Sequence, residues 1–279
     1  MIQITKAIIP VAGWGTRRLP ITKIIEKSML PVGNRPLVDY SVQELIEAGV
    51  TDIYMVISNV EPCQVREFYK DNIALNKYLE DRGKLDRLEL AKTLPENVKI
   101  HYISQDPAAK YGTAIPVAMA AEDYNINEPV FVFMGDDFIW NPNGKSSAKA
   151  LLEAVKDPSE SALIGISSPR EALLNGGALT IDSEDKIEKI VEKPSEDQIT
   201  GLASVSKYII SPELMKEIVD YVHSHDFGPQ DQEYMITDPF ASFIEKGGTI
   251  RAAKTEGEYL DGGTLEGWVH ANDVVCKGK

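Results

Sequence analysis

Four apolar runs rich in β-branched and aromatic residues punctuate the first half of the chain, at residues 7–11, 53–57, 98–103 and 130–134. The fourth is almost wholly apolar. Runs of this kind, separated by helical stretches, predict strands of a parallel sheet covered on both faces. Between the first two, Leu37, Tyr40, Leu45 and Ala48 fall on roughly one helical face, and Gly49 ends that helix. Residues 72–93 read as a charged, Leu-rich pair of solvated helices. The second half has a different texture. Residues 178–181 and 187–191 flank a polar stretch and predict a hairpin, and 202–210 a further strand. Helices are predicted over 212–222, 238–246 and 264–275. No internal repeat, low-complexity stretch or flexible linker interrupts the pattern. The expected architecture is α/β, Rossmann-like with a mostly parallel central sheet. Residues 1–140 would form a nucleotide-binding half. Residues 141–279 would form a smaller mixed half, with parts returning to the central sheet and a cleft between the two.

Ligands of such sheets bind outside the carboxyl ends of the strands. Two ends stand out: the glycine-rich residues 13–17 after the first strand, and Gly135-Asp136-Asp137 after the fourth.

Composition narrows the partners. The chain has 279 residues, 43% hydrophobic and 26% charged, enough for a proper core. Its 29 basic and 43 acidic side chains leave a net charge of −14. A field of that sign repels polyanions, so neither nucleic acid nor an anionic membrane is an expected partner. Cys63 and Cys276 form no CxxC pair, which argues against a disulfide framework or a zinc site. The N-terminus lacks a signal-peptide layout, and its apolar run is broken by Pro10 and Gly13. A cytoplasmic protein is expected.

An acidic protein that binds phosphate must concentrate positive charge locally. Arg17, Arg18, Lys23 and Lys27 fall within eleven residues, directly after Gly13-Trp14-Gly15. Glycines let a backbone approach phosphate and present N–H groups to it, and the cations would clamp a triphosphate. The stretch is not a Walker loop, since GxxxxGK[ST] is absent, and the third glycine of a dinucleotide fingerprint would fall at Arg18. Asp136 at a strand end and Asp261 before Gly262-Gly263 suit Mg²⁺, which takes one or two carboxylates and leaves its other positions to phosphate and water. Blander readings stand beside these. Asp136 could form a turn, and Asp261 could sit at a helix N-terminus near Thr264. Glu192-Lys193 could be a surface ion pair, Gln105 an ordinary loop amide, and Thr237 and Asp238 helix caps. The four histidines show no metal spacing.

The run from Val11-Ala12-Gly13-Trp14-Gly15-Thr16-Arg17-Arg18-Leu19-Pro20 to Lys27-Ser28-Met29-Leu30-Pro31 resembles the N-terminal signature of the sugar-phosphate nucleotidylyltransferases. The likeness is strongest to the bacterial UTP–glucose-1-phosphate uridylyltransferases. The helical insertion at 72–93, Gly135-Asp136-Asp137, Val191-Glu192-Lys193-Pro194 and residues 233–238 extend it over nearly the whole chain. The resemblance implies that Ala12, Gly13, Gly15 and Thr16 hold the nucleotide, and that Arg17 and Lys27 grip the triphosphate and the leaving pyrophosphate. It also implies Mg²⁺ on Asp136 and Asp261, and Lys193 on the sugar phosphate. Asp137, Gly177 and Glu192 would take the sugar hydroxyls, and Gln105 and Gly112 would meet the uracil. UTP and glucose 1-phosphate are the implied partners, and a homo-oligomer, dimer or tetramer, the implied assembly. This sequence departs from the pattern in three places. Glu26 and Ser28 replace a proline and a glutamate in the phosphate loop. Lys110-Tyr111-Gly112-Thr113-Ala114 replaces Gly-Leu-Gly-His-Ala beside the base. Ser206-Lys207-Tyr208 replaces Gly-Arg-Tyr.

The expected activity is therefore uridylyl transfer from UTP to glucose 1-phosphate. The alternatives are a related enzyme using dTTP or CTP, or a non-catalytic nucleotide-sugar sensor. A sensor should have lost Asp136, Asp261 or Lys27, and all three are present. An NAD-binding oxidoreductase is disfavoured by the missing third glycine.

Overall fold

The computed structural model describes residues 2–106, 109–167, 177–192, 194–195, 202–228 and 232–278. Strand β1 (Lys6–Pro10) leads into three single-turn 3₁₀ segments, at Thr16–Arg18, Ile21–Lys23 and Lys27–Met29. A two-residue hairpin pair, β2 (Pro31–Val32) and β3 (Arg35–Pro36), precedes α1 (Leu37–Glu47). Next come β4 (Asp52–Ser58), α2 (Gln64–Tyr69), α3 (Ile73–Asp81), α4 (Leu85–Ala91), β5 (Lys99–Gln105), α5 (Ala114–Asp123) and β6 (Val130–Phe133). The remainder runs β7 (Asp137–Trp140), α6 (Ser147–Ala154), β8 (Ser161–Ile166), β9 (Gly177–Ile181), β10 (Ile187–Glu192) and β11 (Leu202–Ile210). It closes with α7 (Pro212–Ser224), α8 (Thr237–Glu245), β12 (Ile250–Lys254), β13 (Glu258–Asp261) and α9 (Leu265–Lys277).

The four apolar runs become β1, β4, β5 and β6, all parallel, with β1 between β4 and β6. Strands of the second half extend the same sheet. β11 pairs antiparallel with β6, β8 and β9, the predicted hairpin β9–β10 forms the far edge, and β12 lies parallel to β8. The sheet is buried on both faces, which explains the absence of alternation in its central strands. One face packs Ile8, Tyr54, Val117, Val132, Leu214 and Phe240 under α5, α7 and α8. The other packs Ile9, Met55, Val42, Leu45, Phe133 and Leu151 under α1 and α6. The insertion is the solvated helix pair that its charge pattern predicts: Ile73 and Leu90 are exposed, and only Leu79 of α3 is buried. Among the described residues, no helix is long and apolar enough to cross a membrane.

One local expectation is overturned. Thr237 and Asp238 do not cap α8; the cap position is Ile236, and no side chain bonds there. The Ile236 N–H donates instead to Thr113 Oγ1 (3.0 Å), so a crossing segment takes over the capping role. Asp238 Oδ2 accepts from Tyr221 Oη (2.7 Å) and Gln232 Nε2 (3.3 Å).

Candidate active site

The loop after β1 rises over the carboxyl ends of β1 and β4, where Val11 N donates to Val56 O (2.8 Å). Gly15 adopts φ 62°, and a Cβ there would come within 2.9 Å of Lys27 Cβ and 3.1 Å of Thr22 Cγ2. The glycine thus lets the stem of Lys27 pass directly against the loop, and Thr22 Oγ1 fastens the turn by donating to Gly15 O (2.9 Å). A Cβ on Gly13 would meet nothing within 4 Å, so no protein atom packs there. Glu26 holds the far end of the loop. Its carboxylate accepts from Gln64 N (2.6 Å) and Val65 N (3.2 Å), while its own N–H donates to Gln64 Oε1 (2.8 Å). Glu26 therefore satisfies free N–H groups at the start of α2 and braces the loop after β1. Ser28 is buried, and its hydroxyl has no hydrogen-bond partner among the described residues.

Across from this loop, β6 ends and the chain turns through Gly135 into β7. A Cβ on Gly135 would lie 2.4 Å from Val11 Cγ1, so this glycine allows the turn to approach the loop after β1. β7 pairs antiparallel with β13, placing Asp137 opposite Asp261, and Gly262 N donates to Asp136 O (2.9 Å). A two-stranded ribbon therefore brings together carboxylates that lie far apart in sequence. Lys27 Nζ lies 2.5 Å from Asp136 Oδ2. Arg17 Nη2 stands 3.4 Å from the position a Cβ on Gly263 would take, and the Gly263 N–H donates to Asp261 Oδ1 (2.7 Å). Burial alone would raise the Asp136 carboxyl; Lys27 first and then Arg17 outweigh it and hold the group below its usual value. Asp136 and Asp261 are half-buried, on neighbouring backbone, and offer only oxygens. That donor set suits a hard divalent cation completed by phosphate and water.

Not all of the basic cluster belongs to this centre. Arg18 is buried; its Nη1 donates to Thr264 O (2.5 Å) and its guanidinium lies 5.0 Å from the Trp268 ring. It ties the loop to α9 instead of facing a phosphate. Lys23 is exposed.

The opposite wall comes from β9, β10 and β11. Gly177 pairs with Glu192 on one side and Ser204 on the other, and a Cβ on it would come 3.1 Å from both Glu192 Oε1 and Ser204 Oγ. The Glu192 carboxylate thus lies over Gly177. Asp137 is buried; its Oδ2 accepts from Tyr259 Oη (3.2 Å) and its Oδ1 lies 3.4 Å from Lys207 Nζ. Burial, with Asp136 and Asp261 adding to it and Lys207 opposing, pushes the Asp137 carboxyl up to about 7. Lys193 lies outside the described residues.

A third region gathers at the end of β5. Gln105 is largely buried, and its main-chain carbonyl accepts from Asn59 N (3.0 Å). Gly112 has φ 137°, and a Cβ there would lie 2.4 Å from both Tyr234 N and Tyr234 O. The Tyr234 backbone fills that side, so packing accounts for this glycine. Lys110 points away, its Nζ donating to Val222 O (3.3 Å) and His225 O (3.2 Å). Lys110 thus braces the end of α7, and the Thr113 hydroxyl, bonded to Ile236, braces the segment before α8. Tyr111 remains, 62% exposed. Burial and then Glu233 raise its phenol, while Lys27 and Arg17 lower it.

Lys207 and Tyr259 were not singled out as site residues from sequence. For Lys207 the signal was available: it shares a strand face with Val205 and Ile209, which the period of two puts in the core. Nothing in the sequence around Tyr259 marks it.

Comparison with known proteins bears on this geometry. Residues 6–278 match the nucleotidyl transferase family. A UTP–glucose-1-phosphate uridylyltransferase 2 of Staphylococcus saprophyticus is 31% identical over 276 residues, covering 96% of this chain and 91% of that protein. The UTP–glucose-1-phosphate uridylyltransferase 2 of Streptococcus pyogenes serotype M1 is 29% identical over 222 residues, covering 77% of this chain and 73% of its own. Among solved structures, an apo UDP-glucose pyrophosphorylase superposes with TM-score 0.87 at 25% identity, over 99% of each chain.

Proposed function

We propose that this chain, which belongs to the nucleotidyl transferase family, transfers the uridylyl group of UTP to glucose 1-phosphate, forming UDP-glucose and pyrophosphate. The observation that carries the reading is the convergence of Lys27 and Arg17 with Asp136 and Asp261 at the carboxyl ends of β1 and β6. Two cations beside two half-buried carboxylates suit a metal-bound triphosphate, and phosphoryl transfer is mostly positioning plus charge stabilisation. The names of the matched relatives point to the same substrates.

In this reading a phosphate oxygen of glucose 1-phosphate attacks the α-phosphorus of UTP. One P–O bond forms as the bond to pyrophosphate breaks in line. The sugar phosphate is already anionic, so no general base and no covalent intermediate are needed. Ala12, Gly13, Gly15 and Thr16 line the nucleotide with backbone. Arg17 and Lys27 neutralise the charge passing to pyrophosphate. Asp136 and Asp261 would hold Mg²⁺, which supplies further charge neutralisation when bound. Gln105 and Gly112 border the base. Asp137, Gly177 and Glu192 accept or flank the sugar hydroxyls, and Lys193 holds the sugar phosphate. Residues 1–140 then serve the nucleotide and 141–279 mainly the sugar. A cytoplasmic homo-oligomer completes the proposal.

The test is a coupled assay of pyrophosphate release over UTP, dTTP, CTP and ATP, each with glucose 1-phosphate and other sugar 1-phosphates, with and without Mg²⁺. UTP with glucose 1-phosphate should give the highest kcat/KM, and chelation should abolish turnover. Greater efficiency with CTP or ATP, or full turnover in excess chelator, refutes the reading.

A further inference from the structure

Three carboxylates, Asp136, Asp137 and Asp261, crowd a site that must admit an anionic sugar phosphate. Each has a cation at hand: Lys27 beside Asp136, Arg17 near Asp261, and Lys207 beside Asp137. Lys207 differs from the other two in having no exposed surface at all. It projects from β11 at a two-residue irregularity in the pairing with β8, where Val205 faces Ile164 and the next partnered residue is Tyr208. Its pairing with Phe133 of β6 is kept there, so it stays on the inward face shared with Val205 and Ile209. Its ammonium sits 4.5 Å from the Phe133 ring centroid. It donates to Ser41 Oγ (3.2 Å) on α1 and to the main-chain carbonyl of Asp137 (3.3 Å), and it pairs with Asp137 Oδ1 (3.4 Å). Two of its three hydrogens are thereby directed to Ser41 and the Asp137 carbonyl, and its charge faces the Asp137 carboxylate. Asp137 Oδ1 is buried and takes no well-formed hydrogen bond among the described residues, so Lys207 is its nearest compensating charge.

We propose that Lys207 is a positioning residue that acts through Asp137, fixing its carbonyl and carboxylate and cancelling its charge so that the wall can receive a sugar phosphate. The inference rests on Asp137 belonging to the sugar side of the site. Lys207 can touch neither substrate itself, because protein encloses it. Its contribution is to hold the residue next to Asp136 by backbone and side chain together. It also removes a repulsive charge from the path of the incoming phosphate. An apolar side chain of the same length would fill the space and do neither.

The experiment compares KM for glucose 1-phosphate with KM for UTP in Lys207→Met, Lys207→Arg, Asp137→Asn and the double variant Lys207→Met/Asp137→Asn, with calorimetric binding of glucose 1-phosphate alongside. Lys207→Met should raise the sugar-phosphate KM roughly 10–100-fold, the range typical of residues that orient a ligating group, and move the UTP KM far less. Lys207→Arg should recover most of the loss. Where Lys207→Met does not fold, the double variant removes the unpaired buried charge and is compared with Asp137→Asn. Equal sugar-phosphate KM values in those two show that Lys207 acts through Asp137. A folded Lys207→Met with unchanged sugar-phosphate KM overturns the proposal, as does a double variant much worse than Asp137→Asn. An unchanged KM in Asp137→Asn alone refutes the sugar reading of that residue, whatever Lys207 does.

Discussion

Replacing Gly112 with alanine puts the joint between the base side of the site and the segment before α8 to a quantitative test. At φ 137° an alanine is strained whatever the surrounding space, at a cost of about 1–3 kcal/mol. The space is absent as well: the new methyl would lie 2.4 Å from Tyr234 N and from Tyr234 O, about 1 Å inside ordinary contact, and both atoms are backbone. Relief requires residues 233–236 to retreat. That movement breaks Tyr234 N→Tyr111 O (2.9 Å) and Ala114 N→Tyr234 O (2.9 Å), and it loosens Ile236 N→Thr113 Oγ1. Each hydrogen bond contributes about 1 kcal/mol net. Strain and lost bonds together amount to about 3–5 kcal/mol. For a chain of this size that is a fall in Tm of roughly 10 °C. Urea unfolding followed by circular dichroism measures it, and UTP KM is read in the same preparation. Gly13→Ala is the contrast. Nothing lies within 4 Å of its added Cβ, so stability should change by less than about 0.5 kcal/mol, while UTP KM rises if nucleotide occupies that space. A Gly112→Ala protein within about 1 kcal/mol of the parent would refute the packing account of this glycine.

Further expectations follow from the same geometry. Asp136→Asn should lower kcat at least about 10²-fold in the pyrophosphate-release assay while the protein stays folded, because both the proposed metal carboxylate and the partner of Lys27 are lost; turnover like the parent's would refute the proposed metal role of Asp136. Gln105→Ala should reduce the UTP:CTP ratio of kcat/KM more than it reduces activity with CTP, since an amide can pair with both the N–H and the carbonyl that distinguish uracil; an unchanged ratio with surviving UTP activity would transfer base reading to another residue. Arg251 grips Glu160 with Nε–Oε2 at 2.8 Å and Nη2–Oε1 at 2.6 Å, both side chains mostly buried, so Glu160→Gln should cost about 1.5–3 kcal/mol in a urea melt at pH 7. The Arg251 hydrogen bond holds the Glu160 carboxyl below its ordinary 4.5, so this stabilisation is present above pH 4.5 and is lost as pH falls through the lower folded value. Glu160→Gln should flatten that acid limb, and an equal loss of stability in parent and variant between pH 5 and pH 3 would show that the pair does not contribute.

Much of the architecture was written locally. The apolar runs at 7–11, 53–57 and 130–134 mark buried central strands, the more polar run at 98–103 becomes the edge strand β5, and the 3.6 and 2.0 periods of the second half placed the β9–β10 hairpin, β11, α7 and α9. The glycine and cation content of the loop after β1, and the carboxylates after β6, marked the proposed site because charge and backbone freedom are properties of residue type. What the sequence could not carry is which distant residues meet. The β7–β13 ribbon that sets Asp137 opposite Asp261, the turn of Arg18 onto Thr264 and Trp268, and the brace from Glu26 to α2 all join residues more than thirty positions apart. Such pairings depend on chain crossing and side-chain direction, which no local period encodes. Residue type could likewise not say whether a lysine in an apolar strand faces water or the core. The strand's alternation makes Lys207 inward, but only the arrival of Asp137 and Ser41 around it makes a buried ammonium tolerable there.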